Sequence, residues 1–544
     1  MRAEIRAFLQ YALQEMMIMR TSGILYPVSS LPSKYGIGCF SKEAYEFVDF
    51  LKKAGQTYWQ VLPFGPTGYG DSPYQSFSTF AGNPYFIDLE TLIEEGLLER
   101  WECDSRNFGT DPESVDYGAL YENRFAVLAL ANERFQKTAA EDADYQAFRK
   151  EEAGWLDDYS LFMALKQHFE GKSWTDWDLP YRNRDKKALD AVREVLKDKI
   201  DFFCFQQYEF AKQWKKLHTY ANEQGIRIIG DIPIYVAFDS ADTWSRPELF
   251  QFDEDNNPKA VAGCPPDAFS ATGQLWGNPL YDWPYHKKTG YEWWIARMKR
   301  TYSFYDVIRV DHFRGFDEYY AIPADAETAL TGEWIDGPGM DLFNAIRAEL
   351  GHLEVIAEDL GIITPSVRAL LKESGFPGMK VLQFAFDGRE DSDYLPHNVI
   401  PNCVIYTGTH DNETTRGWIE SRNDHDRDYV RRYINSLYSD YGQFTWDFIR
   451  TAEASVADTC IIPIQDYLVV GNEGRINQPA TQGGNWQWRV KPNFLSEDLC
   501  RAIFEMSKLY HRIPALEKEK EDESGFVKFS HRKKTKKAAK KAVK

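Results

Sequence analysis

The chain has 544 residues, 43% of them hydrophobic and 27% charged, with a net charge of −19. This is the composition of a soluble globular protein with a sizeable core, and the acidic balance speaks against nucleic acid, whose binding rests on neutralising phosphates. No run of about 18 apolar residues offers a membrane span, and seven scattered cysteines without a CxxC pair exclude a disulfide framework or zinc cluster and suit reduced thiols in the cytoplasm.

The first twenty residues, MRAEIRAFLQYALQEMMIMR, carry internal charges and no small-residue cleavage site. They read as a helical extension (residues 1–20) rather than a signal peptide, with Met19 an alternative start to Met1. Eight short apolar runs bounded by turn residues then follow: Ile24–Val28, Tyr58–Leu62, Arg227–Gly230, Val307–Val310, Glu354–Ala357, Lys380–Phe384, Cys403–Tyr406 and Cys460–Ile464. Buried runs alternating with helical patterns predict parallel βα units, and eight of them predict an α/β fold that closes as a (β/α)8 TIM barrel over residues 21–515. The uneven spacing predicts large helical insertions at the C-terminal, catalytic face, at about 85–225, 237–302 and 316–350. Within the first, Glu122–Gln136 and Ala188–Trp214 read as amphipathic helices. Residues 516–544 form a charged tail of low complexity, with eight basic and no acidic residues from Arg532 onward; the remainder of the chain carries −27. The tail reads as a solvated end.

In such a barrel the active site forms where the strands end. Strand three ends in Gly230-Asp231, strand four in Arg309-Val310-Asp311-His312, strand five in Ala357-Glu358-Asp359, and strand seven runs into His410-Asp411-Asn412-Glu413. Four strands thus deliver carboxylates to one rim. Such a cluster either binds a divalent cation or performs glycoside chemistry. Arg309 favours the second. It lies two residues before Asp311, so both side chains face the same way; a guanidinium keeps a carboxylate ionised, as a nucleophile needs, but would compete with a metal. Glu358 follows an apolar stretch that raises a carboxyl towards a proton donor. Periodicity leaves open whether Glu358 or Asp359 points inward, and the same holds for Asp411 and Glu413. His312 reads as a packed residue facing away from Asp311. An aromatic content of 15%, with 16 Trp and 31 Tyr, is consistent with core packing and also with sugar-stacking surfaces.

These motifs resemble those of the 4-α-glucanotransferases, or amylomaltases, of glycoside hydrolase family 77. The resemblance runs through GILYPVSSLPSKYGIG at Gly23, GYGDSPYQSFSTFAGNPY at Gly68, GDIPIYVAFDSADTW at Gly230, GCPPDAFSATGQLWGNPLYDW at Gly263, RVDHFRGF at Arg309, AEDLG at Ala357, TGTHDNETTRGW at Thr407 and INQPATQGGNWQWR at Ile476. It implies Asp311 as nucleophile, Glu358 rather than Asp359 as general acid/base, and Asp411 as the residue that grips sugar hydroxyls and stabilises the transition state. Arg309, His410, Asp231 and Tyr74 match further active-site positions, and Phe269 and Trp276 fall in a loop, Pro265–Gly277, that overhangs the groove. Some relatives carry Tyr where Ala268 stands here. The resemblance implies no metal or organic cofactor, with α-1,4-glucans (maltooligosaccharides, starch or glycogen) and glucose as partners, no nucleic acid or membrane, and a monomer or weak homodimer. A retaining pair implies carboxyls roughly 5 Å apart.

The residues alone leave an α-amylase-like hydrolase open beside the transferase, since water and sugar acceptors differ only in how the loops fill the groove. A non-catalytic glucan binder fits poorly, as all three carboxylates are present. A nucleotide-dependent transferase lacks any GxGxxG or P-loop pattern. Tyr69 is either a second glucan contact or a plain turn aromatic.

Overall fold

The structure, a computed structural model, describes residues 20–513 apart from 69, 267–270, 362, 387–391 and 482. Eight parallel strands close the barrel: β1 (Thr21–Leu25), β2 (Tyr58–Gln60), β3 (Arg227–Ile232), β4 (Val307–Val310), β5 (Val355–Ala357), β6 (Gly378–Val381), β7 (Cys403–Tyr406) and β8 (Thr459–Pro463). Each pairs with its neighbours in sequence, and β1 pairs with β8 to complete the ring. The eight apolar runs of the sequence are therefore the eight barrel strands.

Two expectations need correction. The sixth run was expected to be extended to Phe384, but β6 stops at Val381 and a 3-10 turn occupies Leu382–Phe386. That turn brings Gln383 within reach of the loop after β7, where its Nε2 donates to the Glu413 carbonyl at 2.9 Å. The segment Ala188–Trp214 is two helices, Lys186–Val195 and Lys197–Glu223, broken at Leu196, whose side chain is buried.

The barrel interior is a packed layer of inward side chains, Leu25, Ile229, Val307, Ile356, Met379, Val404, Tyr406 and Ile461. Side chains alternate along a strand, so two residues beyond Ile229, Val307 and Ile356 the inward positions are Asp231, Arg309 and Glu358. Asp231 and Arg309 thus form the next, polar layer, directly above an apolar floor.

Between β2 and β3 lie helices that include α1 (Tyr117–Phe135), α2 (Ala153–His168) and α3 (Lys197–Glu223). Helix α3 serves two neighbours. Its Phe210 and Trp214 pack on Phe40 and Phe64 at the barrel wall. Its Gln207 and Gln213 amides bond the backbone of Gly82 and Asp88, which fixes the loop leaving β2. The later insertions join in a way the sequence reading did not anticipate. Gln274–Pro279, Ala260–Cys264, Glu318–Pro323 and Glu333–Asp336 form one antiparallel sheet, in that spatial order, beside the barrel mouth.

Candidate active site

Arg309 is the centre of the polar layer. Its Nη1 donates to Asp231 Oδ2 at 2.6 Å, its Nη2 to Asp311 Oδ1 at 3.1 Å, and its Nε meets Met379 Sδ at 3.3 Å. Burial alone would weaken the guanidinium's hold on its proton, but the carboxylates of Asp231 and Asp311 more than reverse this and keep it charged. Gly230 makes the arrangement possible, because a Cβ there would lie 2.0 Å from the Tyr305 ring.

Strands β4 and β5 pair Arg309 with Ile356 and Val310 with Ala357, so the register sets Asp311 and Glu358 side by side. The chain leaves β4 through His312 in the left-handed region, φ 53°. This turn aims the His312 N–H at Glu358 Oε2, 2.8 Å away, while the Leu360 N–H donates to Oε1 at 2.8 Å. Both carboxyl oxygens are held, and the rotamer is fixed before any ligand arrives. Burial pushes both the Asp311 and the Glu358 carboxyl upward; Arg309 opposes this at each, and Glu358 raises Asp311 further. The two share a site and titrate as a pair. The side chain of Asp311 is still 30% exposed towards the groove, so a bound ligand would complete its removal from water.

The inward parity of Ile356 puts Glu358 in the cleft and Asp359 outside it. Asp359 accepts from the Met379 N–H at 2.6 Å and faces Lys380 Nζ at 3.6 Å, in the barrel wall. Glu413 likewise points away, paired with Arg422 at 3.1 Å and bonded by Asn472. Asp411 stays at the mouth with its side chain 41% exposed.

A second chain of contacts crosses the cleft. The Tyr74 hydroxyl donates to Asp231 Oδ2 at 2.7 Å and lies 2.8 Å from His410 Nε2, which is 3.3 Å from Asp411 Oδ2. The Tyr74 and His410 rings stack at 5.3 Å. Burial lowers the His410 pKa, against the pull of Asp411, so its imidazole is neutral. Neutral Nε2–H donates to Asp411 or the Tyr74 oxygen, consistent with Tyr74 giving its proton to Asp231.

Three residues here carry no signal the sequence reading used. Asn477 Nδ2 donates to Asp411 Oδ1 at 2.6 Å, Arg475 Nη2 donates to the Asp411 carbonyl at 2.9 Å, and the Trp486 ring lies 5.8 Å from Tyr74 and 6.1 Å from His410. All three stand in or beside the INQPATQGGNWQWR block, the only pointer to them.

Trp276 is partly buried on the edge strand of the four-stranded sheet, its ring edge-on to His312 at 4.9 Å. His312 therefore packs on the groove wall, and burial holds its pKa down at about 3. Phe269, Ala268 and Tyr69 lie outside the described residues. Among the described residues no group of three or more His, Cys, Asp or Glu side chains is arranged to hold a metal ion, and no helix is long and apolar enough to cross a membrane.

Comparison with known proteins identifies a family. A family profile described as 4-alpha-glucanotransferase matches residues 26–496. The 4-alpha-glucanotransferase of Clostridium butyricum is 49% identical over 487 residues, covering 89% of this chain and 99% of the relative. That of Thermus thermophilus is 45% identical over 505 residues, covering 92% and 100%. Among solved structures, the amylomaltase from Streptococcus agalactiae in complex with acarbose superposes with a TM-score of 0.89 at 43% identity, covering 91% of this chain and all of that one.

Proposed function

The chain belongs to the 4-alpha-glucanotransferases of glycoside hydrolase family 77, and on that premise we propose how the cleft divides the work. The enzyme transfers α-1,4-linked glucan segments from a donor maltooligosaccharide or starch-like glucan to the 4-hydroxyl of an acceptor glucan or glucose. Asp311 is the nucleophile and Glu358 the general acid/base. The observation that carries this assignment is the side-by-side register of Asp311 and Glu358 over the Arg309 guanidinium.

In the first half-reaction the Glu358 carboxyl gives its proton to the glycosidic oxygen. The Asp311 carboxylate bonds to the anomeric carbon as the carbon–oxygen bond breaks. Arg309 supports the ionised form of Asp311, and the backbone donors to Glu358 hold its oxygens without consuming every lone pair. In the second half-reaction the Glu358 carboxylate takes the proton of the acceptor 4-hydroxyl, which displaces Asp311. Two inversions give net retention. Neighbouring strands are about 4.8 Å apart, which suits the short carboxyl separation of a retaining pair. Asp411, held by Asn477, grips sugar hydroxyls beside the cleaved bond; Tyr74, Asp231 and His410 line the same subsite, and Trp276 contacts the glucan.

Cys39, Cys103, Cys204, Cys403, Cys460 and Cys500 are buried thiols outside any disulfide, which supports a place in the reducing cytoplasm. A monomer or weak homodimer is the working assembly. Incubation with maltotriose tests the reading: glucose plus a ladder of longer maltooligosaccharides is expected, absent with Glu358→Gln. Only shorter sugars, with steadily rising reducing ends, would mean a hydrolase.

A further inference from the structure

Strand β8 ends at Pro463, and one helical turn, Ile464–Tyr467, follows it. Asp466 on that turn is 1% exposed, and the reaction as described makes no use of its carboxylate. Three donors converge on it. Thr407 Oγ1 donates to Oδ2 at 2.6 Å, Thr415 Oγ1 to the same oxygen at 2.7 Å, and the Thr415 N–H to Oδ1 at 2.8 Å. All three are neutral donors, and both threonines are fully buried. Taking a carboxylate out of water to meet neutral partners is costly, which makes it a poor device for stability alone.

What the three bonds join is the loop that carries His410 and Asp411. Thr407 is the first residue after β7, and Thr415 opens the helix Thr415–Ser421, whose first N–H groups have no partner within the helix. Asp466 therefore ties the two feet of the loop 407–415 to each other and to the end of β8. The tip is closed by its own residues: Asn412 Oδ1 accepts from the Thr409 N–H and from Thr409 Oγ1, both at 2.9 Å. The same helical turn also reaches the other side of the site. Gln465, next to Asp466, donates from Nε2 to the Gly474 carbonyl at 3.1 Å. Arg475, one residue on, bonds the Asp411 carbonyl, and the Asn477 N–H donates to the His410 carbonyl at 3.0 Å. One turn after β8 thus holds both segments that meet at Asp411.

We propose that Asp466 is a positioning residue for glucan transfer: its carboxylate clamps both feet of the loop 407–415 and so sets where His410 and Asp411 stand in the cleft. The inference rests on the reading of Asp411 as a residue that grips the substrate, and it adds the group that places it. Asp466 is sealed behind the loop and acts through the threonines. A displacement of about 1 Å in a group that binds the transition state can cost about 10²-fold. A loosened loop therefore lowers turnover more than it weakens ground-state binding. The ties from Gln383, Arg475 and Asn477 remain when the clamp is gone, so the loop shifts and is not lost.

The test measures kcat and KM for maltotriose in Asp466→Ala and Asp466→Asn, and repeats Asp466→Ala in an Asp411→Asn background. The proposal expects kcat to fall about 10- to 100-fold in Asp466→Ala, with KM changed less than about threefold. Asparagine keeps the Thr415 N–H on its oxygen and turns its amide to the two hydroxyls, which then accept, so it should recover most of the loss. In the Asp411→Asn background the alanine change should cost about threefold or less, because the clamp acts largely through a residue already disabled. Thr407→Val removes one tie and keeps the side chain's shape. Carried through both backgrounds, it should show the same pattern at smaller size, which keeps the test intact where the alanine variant folds poorly. An unchanged kcat in Asp466→Ala, equal losses in the two backgrounds, or an asparagine variant as impaired as alanine overturns the proposal. Asp411→Asn at the wild-type rate would sink the role given to Asp411 and the clamp with it, whereas an impaired Asp411→Asn beside a normal Asp466→Ala sinks the clamp alone.

Discussion

The barrel carries a buried arginine–carboxylate cluster at each end, and the two do different things. At the face where the strands begin, Arg512 is wholly buried and bonds Glu453 at 3.1 Å and the carbonyls of Glu453, Thr21 and Ser455. Arg20 adds bonds to the carbonyls of Tyr510 and Glu453. Arg512 is the guanidinium that pairs with the Glu453 carboxylate, whose oxygens also accept from Ser22 and Ser507, while Arg20 binds the Glu453 backbone, and the cluster stitches the start of β1 to the segment before β8 and the end of the described chain. At the opposite face one guanidinium, Arg309, stands among Asp231, Asp311, Glu358 and Asp411, with Asp311 and Asp411 open to the groove. Sealed and satisfied, the pairing holds the chain together; short of cations and open to a ligand, it holds carboxyls whose protons can move.

The contrast breaks most sharply at Asp311. Asp311→Asn is expected to lower kcat/KM for maltotriose by at least about 10⁴-fold, with a melting temperature near that of the wild type. Glu358→Gln is expected to cost about 10³-fold, and an activated glucosyl fluoride donor, which needs no protonation, should recover the first half-reaction. Arg309→Lys cannot bridge two carboxylates and should cost about 10²-fold. Arg309→Met removes the charge that holds the Asp311 carboxyl down, so in that variant the acid limb of the pH–rate profile should move to higher pH. A kinetic titration of the two proteins checks that sign.

At the sealed end the expected effects are on folding. Arg512→Met leaves Glu453 short of its main partner and should destabilise by about 3–5 kcal/mol, read as a lower denaturant midpoint, with little change in turnover per folded molecule. The smallest effect concerns pH. Burial raises Glu453 to about 7, against Arg512 and the serines. A carboxyl raised on folding binds its proton more tightly in the native state, so its contribution to stability grows as pH falls from 7 towards the unfolded value and is lost as pH rises through 7. Glu453→Gln should flatten that part of the stability profile.

Much of this was legible before the fold. Each of the eight strands is buried at every position or at all but one, and continuous apolar runs announce such strands. Their carboxylate ends follow from chain order alone. The antiparallel sheet was not legible, because AVAGC and QLWGNP are short and interrupted by glycine, and AVAGC takes its second partner, Glu318–Pro323, from a different insertion. Parity could not choose between Glu358 and Asp359 until the inward layer with Ile356 fixed the phase. Asn477, Arg475 and Trp486 reach Asp411, Tyr74 and His410 across more than sixty residues, and an amide or ring on a loop carries no periodic signal.

The central claim is that Asp311 forms a covalent bond to the sugar while Glu358 manages the proton. It is tested most directly by mixing Glu358→Gln with a maltosyl fluoride, quenching in acid and mapping peptide masses. The account predicts a glycosyl mass increment on the peptide that contains Asp311, absent when Asp311→Asn is added. An increment on another carboxylate, or no increment while transfer proceeds, would contradict it.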